Sequence, residues 1–184
     1  MSSLRRVCLV GVRGVGKTTL IRSLLPQLPH VDYIVGSAVL RELAGPDFAR
    51  FDHLPPEAKQ EYRERAIDWM EARQAQEGKL LLCDGHTSLL DECTGQVGAV
   101  FTDRDCAFFR ELVLLEAPSE VILTRRQGDP TKRRSLDPRV IEAELRGEWE
   151  TSHHISARWA MDLHRLPLAT DPQVARALLE VLAP

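Results

Sequence analysis

Residues 11–19 read Gly-Val-Arg-Gly-Val-Gly-Lys-Thr-Thr, and their types and spacing fit G-x-x-x-x-G-K-[ST], the pattern of a loop that cradles phosphate. Gly11, Gly14 and Gly16 allow backbone conformations that a side chain forbids, so successive N–H groups can turn inward on an anion at the positive end of a helix. Lys17 has the reach to meet the β- and γ-phosphate oxygens, and the Thr18 hydroxyl suits the coordination shell of Mg²⁺. Arg13, Val15 and Thr19 complete the triphosphate-binding stretch, with Thr19 already in the following helix.

Asp84 closes the apolar run Leu80, Leu81, Leu82 and Cys83, where a carboxylate emerging from a buried strand can hold the hydration shell of Mg²⁺. His86, two residues on, falls near the same cleft and suits contact with an acceptor, although a histidine bonded to a loop carbonyl explains it equally well. Arg125, Arg126, Lys132, Arg133 and Arg134 crowd around Gly128-Asp129-Pro130. The pattern suggests a lid over residues 127–138 whose arginines neutralise a transferred phosphoryl group and exclude water. Arg41, in the first turns of the helix after the second strand, has the forked donors to hold an acceptor's phosphate. Trp69, Trp149 and Trp159 recur at helical spacings and read as core.

These groups need a scaffold that brings strand ends together. Apolar runs at 7–10, 30–35, 80–83, 112–115 and 166–169 read as strands, alternating with helical patterns. Ser37 is expected to cap the helix after the second strand, Pro55-Pro56-Glu57 to open a long helix reaching about Gln76, and residues 140–163 to form another. Asp171 is expected to cap the last helix. Residues 86–110 lose periodicity and read as a long surface excursion or a misread element. The order predicts an α/β fold, a three-layer, doubly wound, five-stranded parallel sheet of the phosphate-loop NTPase type with a short lid. Ligands of such folds bind beyond the carboxyl ends of the strands, where Gly11, Gly36, Asp84 and Glu116 would emerge. Residues 1–184 are expected to form one domain, with 36–77 as a helical excursion on the acceptor side.

The net charge of −3 gives no global attraction to nucleic acid or to anionic membranes, so phosphate recognition must be local. Arginine outnumbers lysine, which supplies bidentate donors. Cys8, Cys83, Cys93 and Cys106 lack C-x-x-C spacing and are expected to be reduced. No apolar run reaches the length of a membrane span and no secretory leader is evident, so a cytoplasmic protein is expected.

On four segments the chain resembles the nucleoside monophosphate kinases, most closely the archaeal-type adenylate kinases: residues 11–19, Gly36 to Arg41, Asp84-Gly85-His86, and Ile122 to Arg126 continuing through Asp129, Thr131, Arg134, Leu136 and Asp137. The resemblance implies reversible phosphoryl transfer from Mg-ATP to AMP. Residues 11–19 would hold the donor, Asp84 and Thr18 the hydrated Mg²⁺, and Ser37, Arg41 and His86 the acceptor. Lys17, Asp84, Arg125 and Arg134 would carry the catalysis. The chain departs from the family after His86, where Gly95-Gln96-Val97-Gly98 and Phe101 replace its proline- and glycine-rich aromatic segment, and Lys132 stands where arginine is usual. A kinase of another small metabolite remains open, as does a nucleotide-dependent regulatory or RNA-associated ATPase. A GTPase switch does not fit, because the chain contains no asparagine for an Asn-Lys-x-Asp base reader.

Overall fold

The structure, a computed structural model, describes residues 4–91, 94–129, 134–167 and 172–184. Strand β1 (Arg6–Val10) leads through the phosphate-loop pattern into helix α1 (Lys17–Leu24). β2 (Val31–Val35) runs directly into α2 (Gly36–Ala44), and a 3-10 stretch, Gly45–His53, precedes the long helix α3 (Pro56–Glu77). β3 (Leu80–Asp84) is followed by the short β4 (Ser88–Leu90), β5 (Val97–Ala99) and α4 (Asp103–Phe108). The chain ends in β6 (Glu111–Glu116), α5 (Ser119–Gln127), α6 (Pro138–Trp159), β7 (Asp162–Pro167) and α7 (Pro172–Val181).

The main sheet has five strands in the order β2-β3-β1-β6-β7, every neighbouring pair parallel, as the strand-helix alternation predicts. Its layers follow from the period of two along a strand. Val7 and Leu9 of β1, Leu82 of β3, and Val113 and Leu115 of β6 face a core closed by Leu20, Ile21 and Leu24 of α1, Ile122 of α5, and Val174 and Leu178 of α7. The intervening residues Cys8, Val10, Leu81, Cys83, Leu112 and Leu114 face the opposite core, closed by Val39 of α2, Ala66, Ile67 and Met70 of α3, and Cys106 and Phe108 of α4. Helix α6 joins both layers, Ile141 packing in the first core and Ile155 in the second. Burial on both faces explains why β1, β3 and β6 read as unbroken apolar runs. Trp69, Trp149 and Trp159 pack partly buried against the second core.

Three local expectations change. Ser37 is not a helix cap: α2 starts at Gly36 with Val35 in the cap position and no side-chain capping bond, because β2 passes into the helix without a loop. The stretch 86–110 is not an irregular excursion but an antiparallel hairpin of β4 and β5, then α4 with a Thr102/Asp105 capping box. Strands of three residues and a helix of six are too short to show a period. The last strand is Asp162–Pro167 rather than 166–169, and α6 stops at Trp159, where Ala160 turns left-handed at φ 50° without the glycine that usually marks such an end. The expected cap Asp171 and the lid residues Thr131, Lys132 and Arg133 lie outside the described residues, as does Cys93. Cys8, Cys83 and Cys106 are free and buried. Among the described residues no helix is long and apolar enough to cross a membrane.

Candidate nucleotide and acceptor site

The phosphate-loop residues leave the carboxyl end of the central strand β1 and enter α1, so the loop lies where parallel sheets expose ligand sites. Gly11 takes φ 145°, and a Cβ there would stand 2.5 Å from the Leu115 carbonyl oxygen, which restricts the position to glycine. Gly16 sits left-handed at the start of α1, and its carbonyl accepts the Leu20 N–H at 3.0 Å.

Lys17 is buried; its ammonium donates to the Gly11 carbonyl and lies 3.7 Å from Asp84 Oδ1. Burial lowers its pKa below the ordinary lysine value, while Asp84 and Glu148 draw it back up. Thr18 Oγ1 donates to Asp84 Oδ2 at 2.8 Å, and the Tyr33 hydroxyl reaches the same oxygen at 3.1 Å. Tyr33 was not among the sequence candidates; its phenol is pushed above its usual range by burial and by the Asp84 carboxylate. Thr19 is exposed on α1, and Val15 is buried beneath the loop.

The arginines of α5 brace the loop through its backbone. Arg125 donates to the Val15 carbonyl, and the buried Arg126 gives Nε and Nη2 to the Arg13 carbonyl at 3.1 and 2.8 Å. Arg126 Nη1 also meets the Ser135 carbonyl at 3.0 Å and pairs with Glu144 of α6 at 2.8 Å. Arg134 stands over the loop, its Nη1 3.5 Å from where a Cβ on Gly14 would be. Burial lowers the Arg134 pKa, and the like charges of Arg126 and Arg13 act in the same direction. Burial, then Lys17 and Arg13, push the His86 pKa well below the usual histidine range, and among the described residues its buried Nδ1 has no hydrogen-bond partner. Lys17, Arg13, Arg134 and His86 thus converge on one small region.

An open cavity of about 600 Å³ adjoins the loop at Arg13. Lys59 and Arg63, four residues apart on α3, line one wall, and Leu89 and Leu90 of the hairpin and Phe101 line another. Asp52 and Asp103 also border it. Burial lowers the Arg63 pKa, against the pull of Asp105 and Asp52, and no ion pair joins its guanidinium to another described residue. Lys59 lies 3.8 Å from Asp91. Ser37 and Arg41 are exposed on α2 and do not line this cavity; Arg41 lies over the Phe48 ring at 4.9 Å. The structure therefore gathers Arg13, Lys17, Thr18, Asp84, His86, Arg125 and Arg134 around the loop, while Ser37 and Arg41 are exposed on α2, outside the cavity lining. Arg63, Lys59 and the buried Glu148 escaped the sequence reading because each looks like an ordinary charged helix residue until its surroundings are known.

Fold and loop together define a phosphate-loop α/β protein. The chain belongs to the AAA domain family, whose model matches residues 10–142. No curated protein sequence matches it. Among solved structures it is similar to an unliganded sugar kinase from Janibacter sp. HTCC2649, at 18% identity and TM-score 0.62, covering 98% of this chain and 96% of that one. It is also similar to shikimate kinase from Bacteroides thetaiotaomicron, at 15% identity and TM-score 0.58 over 98% and 99% of the two chains. A third likeness is to shikimate kinase from Acinetobacter baumannii in complex with shikimate, at 19% identity and TM-score 0.56 over 98% and 91%. At these identities the likeness is one of fold.

Proposed function

We propose that this protein is an ATP-dependent small-molecule kinase, moving the γ-phosphoryl group of ATP to a hydroxyl of a small anionic acceptor held in the cavity beside Arg13. The observation that carries the reading is the continuity of the two spaces: Arg13 belongs to the phosphate loop and also lines the cavity containing the half-buried Arg63. Residues 11–19 hold the triphosphate. Lys17, Arg125 and Arg134 supply positive charge as it develops on the transferred group, and such positioning dominates phosphoryl transfer. The Thr18 hydroxyl and the Asp84 carboxylate, joined at 2.8 Å, are hard oxygen donors side by side and fit a hydrated Mg²⁺. When bound, that ion would neutralise phosphate charge.

On the acceptor side, residues 36–77 contribute Lys59 and Arg63, whose side chains suit a carboxylate or phosphate, while Asp52 and Asp103 suit hydroxyls. This assignment replaces Ser37 and Arg41, which are exposed and not among the residues lining the cavity. Residues 127–138 act as the lid, closing over the loop with Arg134. Similarity in fold to a sugar kinase and to a shikimate kinase in complex with shikimate is consistent with a hydroxylated acceptor.

AMP is the second reading, as in adenylate kinases. It draws on Asp84-Gly85-His86 beside the loop and on the apolar strip of Leu89, Leu90 and Phe101, which offers a surface for a base. An assay of ADP release from Mg-ATP against sugars, sugar phosphates, hydroxy acids and nucleoside monophosphates separates the two. Turnover with an anionic hydroxylated metabolite, lost in Arg63→Ala, is the expected result. Turnover confined to AMP would favour the second reading, and absence of ATP binding would reject both.

A further inference from the structure

Helix α6 carries a buried carboxylate that neither the loop motif nor the cavity explains. Glu148 is 1% exposed. Its Oε1 accepts the Gly11 N–H and the Thr87 N–H, each at 3.0 Å, and its Oε2 accepts the Ser88 N–H at 2.8 Å and the Ser88 hydroxyl at 3.0 Å. The Glu148 carbonyl accepts the Thr87 hydroxyl at 3.3 Å, and that hydroxyl meets Ser152 Oγ at 2.9 Å one turn along the helix. The neighbouring Gly147 brings the hairpin onto α6, since a Cβ there would lie 2.5 Å from Val97 Cγ1.

A packing role alone does not call for a charge at this depth, where an ionised carboxylate is tolerated only when its oxygens are fully hydrogen-bonded. The donors come from segments with different duties. Gly11 opens the phosphate loop, and its carbonyl receives the Lys17 ammonium. Thr87 and Ser88 begin the hairpin whose next residues, Leu89 and Leu90, line the cavity. One oxygen atom, Glu148 Oε1, is shared by both segments. When Lys17 leaves the Gly11 carbonyl for a phosphate, the Gly11 N–H, on the preceding peptide unit, keeps its bond to Glu148, so a shift of Gly11 reaches Thr87 through the shared oxygen. We propose that Glu148 is a positioning residue that couples the phosphate loop to the acceptor cavity, setting the hairpin in response to nucleotide binding. The inference rests on the reading of residues 11–18 as a nucleotide loop.

Amide hydrogen exchange of the whole protein, with and without the non-hydrolysable Mg-AMPPNP, tests the coupling. In the wild type, nucleotide should slow exchange at residues 11–18 and also at 87–90 and 97–99. In Glu148→Gln one carboxylate oxygen becomes an amide nitrogen, so whichever way the amide lies Thr87 or Ser88 loses its acceptor, and nucleotide-dependent protection should persist at the loop and fall at the hairpin. A merely structural role would instead speed exchange equally with and without nucleotide. If Glu148→Gln does not fold, Ser88→Ala removes one donor, and nucleotide-dependent hairpin protection should fall at least about twofold. Loop protection without hairpin protection in the wild type overturns the coupling alone, as does hairpin protection that is undiminished in folded Glu148→Gln or unchanged in Ser88→Ala. No protection at the loop in the wild type overturns the nucleotide reading and this coupling with it.

Discussion

At the scale of single residues, the centre of the site is a set of buried polar groups that pair with one another. Asp84 is the meeting point, with Thr18 and Tyr33 donating to one oxygen and Lys17 3.7 Å from the other. Replacing Lys17 by alanine removes the cation but leaves Asp84 two hydrogen-bond donors, so the fold should survive. Turnover should fall by roughly 10²–10³-fold or more, the scale on which one preorganised electrostatic contact acts. Turnover rates set beside circular dichroism and thermal melts of the variant check this, and near-normal turnover in a folded Lys17→Ala would remove the role assigned to the loop. Lys17, Thr18 and Asp84 were legible in the sequence because motif spacing and the end of an apolar run mark them locally. Tyr33, Arg63 and Glu148 were not, because their significance lies in partners distant along the chain, and a single charged or aromatic residue on a helix or strand carries no mark of such a partner.

At the scale of elements, α5 and α6 hold the loop from behind. Arg126 binds the Arg13 carbonyl with two nitrogens and pairs with Glu144, both side chains being almost wholly buried. Breaking such a pair from one side leaves an uncompensated charge, so Arg126→Ala should cost about 3–5 kcal/mol of stability. The double variant Arg126→Met with Glu144→Met leaves no unpaired charge and should recover much of that loss, even though the Arg13 carbonyl remains unbraced and turnover stays low. Denaturant unfolding of the two variants makes the comparison, and an equal loss in both would show that the ion pair is not the source. The long elements around this brace were readable because Pro55-Pro56-Glu57 opens α3 and Tyr62, Ala66, Trp69 and Met70 fall three and four apart along it, while Ile141, Leu145 and Trp149 fall four apart along α6. The hairpin and α4 were not readable, since their register is imposed by packing on α6, where Gly147 admits Val97. The end of α6 was overrun because Ala160 adopts the left-handed turn that the sequence would assign to glycine, and the polar edge strand β7 continued the helical pattern by eye.

At the scale of the whole molecule, two cores on alternate residues of the same strands fix the sheet, and the sheet fixes the loop at the carboxyl end of β1. That architecture follows from unbroken apolar strands separated by helices, the part of the pattern least sensitive to local detail. The phosphate-loop residues belong to this centre, whereas the cavity proposed for the acceptor is lined largely by α3 and the hairpin at its margin. The two halves should therefore respond separately to substitution. Mg-AMPPNP at about 100 times its dissociation constant stabilises a folded chain by about 2.7 kcal/mol. For a chain of this length that corresponds to a rise in Tm of roughly 5–11 °C. Lys17→Ala should lose most of the rise, because the contact proposed for its ammonium is with the nucleotide. Arg63→Ala should keep it while losing acceptor-dependent turnover, because Arg63 lines only the cavity. Thermal melts of the wild type and both variants decide the matter: if Arg63→Ala abolishes the nucleotide shift as fully as Lys17→Ala does, the cavity is not a separate acceptor site and the division of labour between centre and margin fails.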